Sequence, residues 1–167
     1  MNAPRTTSVV VVGLGNPGRG DDGVGPAVAA RVGELLGDDG GLVRVVGHED
    51  PVELLETWAG ADLAVVVDAV RTGGEPGTVL VLEAGGDAEP LTEEPWGGPA
   101  RGGTHAFGLA AAVELARVLD RLPSRVAVVG VEAAGWAAGA ALSAPVAAAV
   151  PRAVATVLEL LSEEGGC

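Results

Sequence analysis

A three-layer α/β/α sandwich, built on a mostly parallel five-stranded sheet with one antiparallel strand, is the fold predicted for this chain. Three observations predict it. Short apolar runs alternate with segments whose apolar residues recur at helical spacing, in the order β-α-β-α-β-β-α-β-α. The central runs are apolar throughout, as strands buried on both faces of a parallel sheet must be. The link from Asp68 to Gly77 is too short for a helical crossover, so one antiparallel pair is expected. With 167 residues, the chain is long enough for one domain, spanning 1–167, with a core of its own. Aromatic residues are scarce (three Trp, one Phe, no Tyr), so Val, Leu and Ala must build that core.

The first strand is read over residues 8–14, where Val9 to Val12 run into Gly13-Leu14. A glycine-rich turn follows. From Val24, the apolar positions Val28, Val32 and Leu35-Leu36 mark a helix, which Gly37 ends. Residues 42–47 read as the second strand. Asp50-Pro51-Val52-Glu53 is a helix start: an acceptor at the N-cap, Pro at the first position and Glu three residues on. That helix is expected to run to about Gly60. Residues 62–69 are the third strand, the most apolar of all, and residues 77–83 the fourth, nearer an edge. Residues 85–103 hold Asp87, Glu89, Glu93 and Glu94 among Gly and Pro, which is the composition of a long loop. Thr104 is placed to cap a helix with the inward stripe Leu109, Val113, Ala116 and Leu119. Arg125–Glu132 is the fifth strand. The last helix carries Val146, Val150, Val154, Leu158 and Leu161, and Pro151 either kinks it or begins it.

Charge and cysteine content narrow the function. A formal net charge of −13 argues against a nucleic-acid partner, which needs a positive footprint. The single cysteine, Cys167, is the last residue, so it forms no internal disulfide and is a poor nucleophile. That usage fits a reducing, cytoplasmic setting. Residues 1–8 lack the basic and apolar segments of a signal peptide. The uncharged stretch 133–151 approaches the length of a membrane span. Gly135, Gly139, Pro145 and Pro151 mark it as loop plus helix, so no membrane partner is expected.

The chemistry-bearing residues gather at strand ends and helix starts. Gly13-Leu14-Gly15-Asn16-Pro17-Gly18 matches the dinucleotide-binding pattern G-x-G-x-x-G. That pattern needs a helix N-terminus open to a pyrophosphate, and here Asp21 and Asp22 oppose one. One acid at this place is a helix cap; two adjacent acids exceed what a cap needs, so one can cap while the other faces a cleft. Either Asp21 or Asp22 can be the inward one. Asp68 ends the central strand, and its neighbour in the sheet should be the first strand. His105 follows Gly102-Gly103-Thr104 at a helix start, where the macrodipole disfavours the imidazolium and keeps the ring neutral. Each residue also has a plain structural explanation: a cap, an acid leaving the core, a surface histidine. Together, two carboxylates and an imidazole form a donor set for a divalent cation, and one suited to Zn or Ni better than to Mg or Ca. His48, at the end of the second strand, either lines the same cleft or is idle. There is no H-E-x-x-H, no G-x-S-x-G and no internal thiol.

Four blocks, in order and over nearly the whole chain, resemble the hydrogenase maturation proteases. They are Gly13-Leu14-Gly15-Asn16 with Asp21-Asp22-Gly23-Val24-Gly25, then Val66-Val67-Asp68-Ala69-Val70 with Pro76-Gly77-Thr78, then Thr104-His105-Ala106-Phe107-Gly108-Leu109. The fourth is Val129-Gly130-Val131-Glu132, followed by Gly139-Ala140-Ala141-Leu142-Ser143-Ala144-Pro145-Val146. The resemblance implies an endopeptidase that removes a C-terminal extension from the large subunit of a nickel–iron hydrogenase after nickel insertion. It implies that Asp22, Asp68 and His105 contact the metal and carry the reaction. The metal is then nickel supplied by the substrate, or another divalent transition metal in the isolated protein. The expected partner is the large-subunit precursor, and a monomer is expected.

The chain departs from the family in two places. It has Asp21-Asp22 where Asp-Glu is common, so the metal must sit closer to the backbone. Its second strand ends Val46-Gly47-His48, without an acid often found there. Two alternatives stand beside the protease: a non-proteolytic chaperone that binds nickel or the subunit, and a peptidyl-tRNA hydrolase-like esterase, which shares the opening Gly13 to Gly18. The esterase signature continues with Tyr, absent here, and tRNA does not suit a chain of this charge.

Overall fold

Apolar runs become strands β1 (Val9–Leu14), β2 (Val43–His48), β3 (Leu63–Val70), β4 (Val79–Glu83) and β5 (Arg125–Glu132). The structure, a computed structural model, describes residues 7–37, 43–86, 88 and 108–164. The strands form one five-stranded sheet in the order β2-β1-β3-β5-β4. β1 pairs in parallel with β2 and with β3, and β3 with β5, while β4 runs antiparallel to β5. The mixed sheet predicted from the sequence is therefore observed. The antiparallel strand, however, does not fold back on β3 as a hairpin. β5 inserts between them, and β4 lies at the edge.

Strand alternation divides the core in two. Val9, Val11, Leu63, Val65, Val67 and Val129 face one side, packed with helix α1 (Val24–Leu36) and the last helix, α4 (Ala144–Glu164). Val10, Val12, Ala64, Val66, Val126 and Val128 face the other, packed with α2 (Leu54–Thr57) and α3 (Leu109–Val118). Val11, Val12, Val65 and Val66 are fully buried, which is why the central runs show no polar alternation. Truncating one of these valines to Ala would cost about 2 kcal/mol in lost transfer energy and residual cavity.

The helices differ in detail from their sequence reading. Asp50 caps the second one as predicted, accepting from the Val52 N–H at 2.9 Å. That helix is a short 3-10 turn, Pro51–Glu53, followed by α2, which ends at Thr57, short of Gly60. In α3, Leu109, Val113 and Ala116 are buried as expected, but Leu119 lies beyond the helix and is exposed. The chain turns there through Asp120, whose φ of 55° ends the helical run. Thr104 and most of the stretch 85–103 lie outside the described residues. Helix α4 neither begins at Pro151 nor shows the expected stripe throughout. It starts at Ala144 and buries Val146, Ala149, Ala153, Val154, Val157 and Leu160. Pro151 stands on its exposed side, where water can satisfy the carbonyl of Ala147 that the ring leaves without a donor. By length and composition α4 is the one helix among the described residues that could cross a membrane; its buried face packs on the sheet as a core helix does.

Candidate active site

The site is built where β1 and β3 end. A Cβ on Gly25 would lie 2.3 Å from the Leu14 carbonyl oxygen and 2.5 Å from that of Val67. A Cβ on Gly13 would lie 2.4 Å from the Gly25 oxygen. Glycine at both positions lets the first turn of α1 rest directly on the backbones of β1 and β3. The 3-10 turn Gly20–Gly23, just before α1, is thereby brought against β3. That turn carries the two adjacent acids.

Asp21 and Asp22 differ in their hydrogen-bond partners. Asp21 is 1% exposed and accepts four hydrogen bonds. Its Oδ1 takes the Ser143 N–H at 2.7 Å; its Oδ2 takes the N–H of Ala134 at 2.8 Å, that of Gly135 at 3.1 Å and the Ser143 hydroxyl at 2.9 Å. Burial by itself would raise the Asp21 pKa. The Ser143 and Ala134 N–H groups, the Ser143 hydroxyl and the Gly135 N–H outweigh that and hold it below the usual carboxylate range. Asp21 is a brace between the turn and the 134–143 connection. Two backbone bonds add to it: Asp21 N–H to the Gly135 carbonyl, and Gly20 N–H to that of Ala140.

Asp22 is also buried and, among the described residues, accepts only the Asn16 N–H, through Oδ2, at 2.9 Å. Its other oxygen accepts no hydrogen bond among the described residues. Gly15, with φ of 133°, makes this approach possible, since a Cβ there would fall 2.0 Å from the Asp22 carbonyl oxygen. Asn16 in turn closes an Asx turn, its Oδ1 accepting the Gly18 N–H at 2.7 Å. The glycine-rich loop thus spends an amide on a carboxylate, where a dinucleotide site would offer it to a phosphate.

Asp68 lies in β3, beside Gly130 of β5 in register, and is 1% exposed. As an even-numbered residue of β3 it belongs to the face that α3 covers. Asp68 does not end β3, which continues to Val70; it stands just past Val67, the last residue of β3 paired with β1, and β3 touches the 3-10 turn that bears Asp22. His105, the third residue of the predicted trio, lies outside the described residues; α3 begins four positions after it. Among the described residues, no three His, Cys, Asp or Glu side chains are grouped to hold a metal.

His48 is not idle. Its Nδ1 lies 2.5 Å from Glu53 Oε2 and its Nε2 2.5 Å from Thr57 Oγ1, so both ring nitrogens are engaged. It ties β2 to α2, and Arg44 reinforces the link by donating to the Thr57 carbonyl.

Glu132, which the sequence reading quoted only as part of a motif, proves to be a second buried brace. It accepts the Thr72 N–H at 2.9 and 3.0 Å, the Thr72 hydroxyl at 2.7 Å and the Gly73 N–H at 3.1 Å. The signal that singled out Asp68, an acid ending a wholly apolar strand, was present at Glu132 too.

A family model described as hydrogenase maturation protease, HycI, matches residues 47–160, which include Asp68 and position 105 and begin after the Asp22 turn. The chain is 24% identical over 168 residues to the hydrogenase expression/formation protein HupD of Rhizobium leguminosarum bv. viciae, covering 99% of this chain and 79% of that protein. It is 28% identical over 159 residues to HupM of Azotobacter chroococcum mcd 1, covering 95% and 73%. The fold is similar to that of the hydrogenase maturating endopeptidase HybD from E. coli, with a TM-score of 0.74 and 25% identity over 95% of this chain and 94% of that one. It is also similar to the [NiFe] hydrogenase maturation protease HycI from Thermococcus kodakarensis KOD1, with a TM-score of 0.66 and 25% identity over 93% of each. The family match over residues 47–160 and these likenesses agree: the chain belongs to the hydrogenase maturation protease family and is an endopeptidase.

Proposed function

We propose that this endopeptidase removes the C-terminal extension of the large-subunit precursor of a nickel–iron hydrogenase, once nickel is in place. In this reading Asp22, Asp68 and His105 grip the precursor's nickel and present the adjacent peptide bond for cleavage. The observation that supports it is the difference within the acid pair: Asp21 accepts four hydrogen bonds, while Asp22 accepts one among the described residues and lies in a turn that touches β3, the strand of Asp68. Two carboxylates and a neutral imidazole make a mixed oxygen and nitrogen donor set suited to a borderline transition metal. Neighbouring carboxylates repel each other, and a divalent cation between them offsets that repulsion. The metal's contribution is to polarise the scissile carbonyl or a water. The position of α3 supports the third ligand, because the helix that follows His105 packs on the face of β3 that bears residue 68.

The test is a processing assay on purified precursor, loaded with nickel or left without it. Wild-type protein should shorten only the loaded form, and His105→Ala should lose at least about a hundredfold in rate. Full processing by His105→Ala would remove the trio. Binding of the loaded precursor without cleavage would favour the chaperone alternative.

A further inference from the structure

We propose that Arg71, held against Trp136, is a binding residue for a carboxylate of the peptide substrate. This rests on the proposed processing of a precursor peptide.

Arg71 directly follows β3, three residues beyond Asp68, and is exposed. Its guanidinium carbon lies 5.8 Å from the centre of the Trp136 ring, within cation–π range. It has no carboxylate partner among the described residues, although the chain as a whole carries a net charge of −13. By contrast Arg125 is surrounded by Glu83, Glu163 and Glu164, and Arg31, Arg117 and Arg121 each meet a Glu.

Both members of the Arg71–Trp136 pair are held at their backbones by buried acids. Glu132 accepts the N–H groups of Thr72 and Gly73, the two residues after Arg71. Asp21 accepts those of Ala134 and Gly135, the two residues before Trp136. Strand pairing continues into the same place, with the Ala133 N–H donating to the Val70 carbonyl at 2.9 Å. The pair is thus positioned before any ligand arrives, and the ring restricts the guanidinium without neutralising it. A guanidinium held in this way, with no carboxylate partner among the described residues, is a fork for a carboxylate. Three residues beyond Asp68 in the chain, it offers a negative group of an incoming peptide a place to lie. Trp136 is the positioning residue, acting through Arg71.

The carboxylate can be the C-terminus of the peptide or an acidic side chain within it; the chemistry of capture is the same. The probe is a synthetic peptide of the C-terminal segment of the large-subunit precursor from the same organism. It is made as the free acid, as the C-terminal amide, and with its acidic side chains replaced by their amides. Binding is read by isothermal titration calorimetry, and processing of the full precursor by KM and kcat.

Arg71→Gln should weaken the free-acid peptide about fivefold and raise KM by a similar factor, with kcat little changed. Arg71→Lys should recover part of the loss. Trp136→Leu should match Arg71→Gln and add nothing to it in the double variant, and Trp136→Phe should restore binding. The neutral peptide that costs wild type about fivefold, and costs Arg71→Gln nothing further, identifies which carboxylate is held. Added salt should weaken binding to wild type more than to Arg71→Gln. Equal affinity of wild type and Arg71→Gln for every peptide would overturn the proposal, as would failure of the free-acid peptide to bind wild type. Failure of wild type to cleave a nickel-loaded precursor, with charge-dependent binding intact, would instead count against the proposed reaction.

Discussion

Asp21 and Asp22 are neighbours in sequence, equally buried in kind, and opposite in use. Asp21 takes four hydrogen bonds and joins two segments that lie far apart in the chain. Asp22 takes one among the described residues. The difference teaches that burial alone does not mark a functional acid. What marks it is a buried carboxylate whose hydrogen-bonding capacity the fold has not used.

Substitutions can break this contrast. The largest effect is expected for Asp22→Asn, which keeps an acceptor for the Asn16 N–H but removes the charge. Processing of the nickel-loaded precursor should fall at least about a hundredfold while the thermal midpoint stays within about 2 °C. A fall in both together would make Asp22 another brace. Gly25→Ala comes next. Its methyl would collide with the carbonyls of Leu14 and Val67, so it should cost about 3 kcal/mol in urea unfolding and displace the acid-bearing turn.

Asp21→Asn should show the reverse of Asp22→Asn. It exchanges one acceptor oxygen for a donor that faces donors, and should lose about 2–3 kcal/mol of stability. Acid titration sharpens the same point. Because hydrogen bonding holds the Asp21 carboxyl below the usual carboxylate range, the folded state binds the proton less readily than the unfolded chain. Its stabilisation is complete above the usual carboxylate pKa and is lost as pH falls through the lowered value. Circular dichroism below about pH 4 should show a pH slope in wild type that is shallower in Asp21→Asn. The smallest effect is expected for Glu132→Gln, about 1 kcal/mol, since the amide oxygen can still accept from Thr72 and Gly73.

The strands were legible because burial on both faces forces unbroken apolar runs, and Arg125–Glu132 was read to the residue. The edge position of β4 was legible too, but its neighbour was not, because a short link limits the crossover and does not say which strand lies alongside. The buried face of α4 was misread for a different reason. In so alanine-rich a helix, Ala149 and Ala153 fill the core as effectively as the larger residues that attract attention. At the site, the sequence exposed the acid pair and the end of β3. It did not reveal which acid was committed, because the partners of Asp21 come from residues 134–143, more than a hundred positions away. The two nitrogens of His48 were hidden likewise, their partners being contributed by a turn and a short helix that hydrophobic pattern hardly marks.

The insertion of β5 between β3 and β4 has a consequence for how the molecule is made. As the chain leaves the ribosome, β3 emerges with one flank open, and β4 emerges with nothing to pair with. Neither is resolved until residues 125–132 appear, and the contacts that brace the acid-bearing turn arrive later still. Nascent chains therefore contain Asp22 and Asp68 well before the turn that bears Asp22 is braced, and the finished fold waits for residues 134–143.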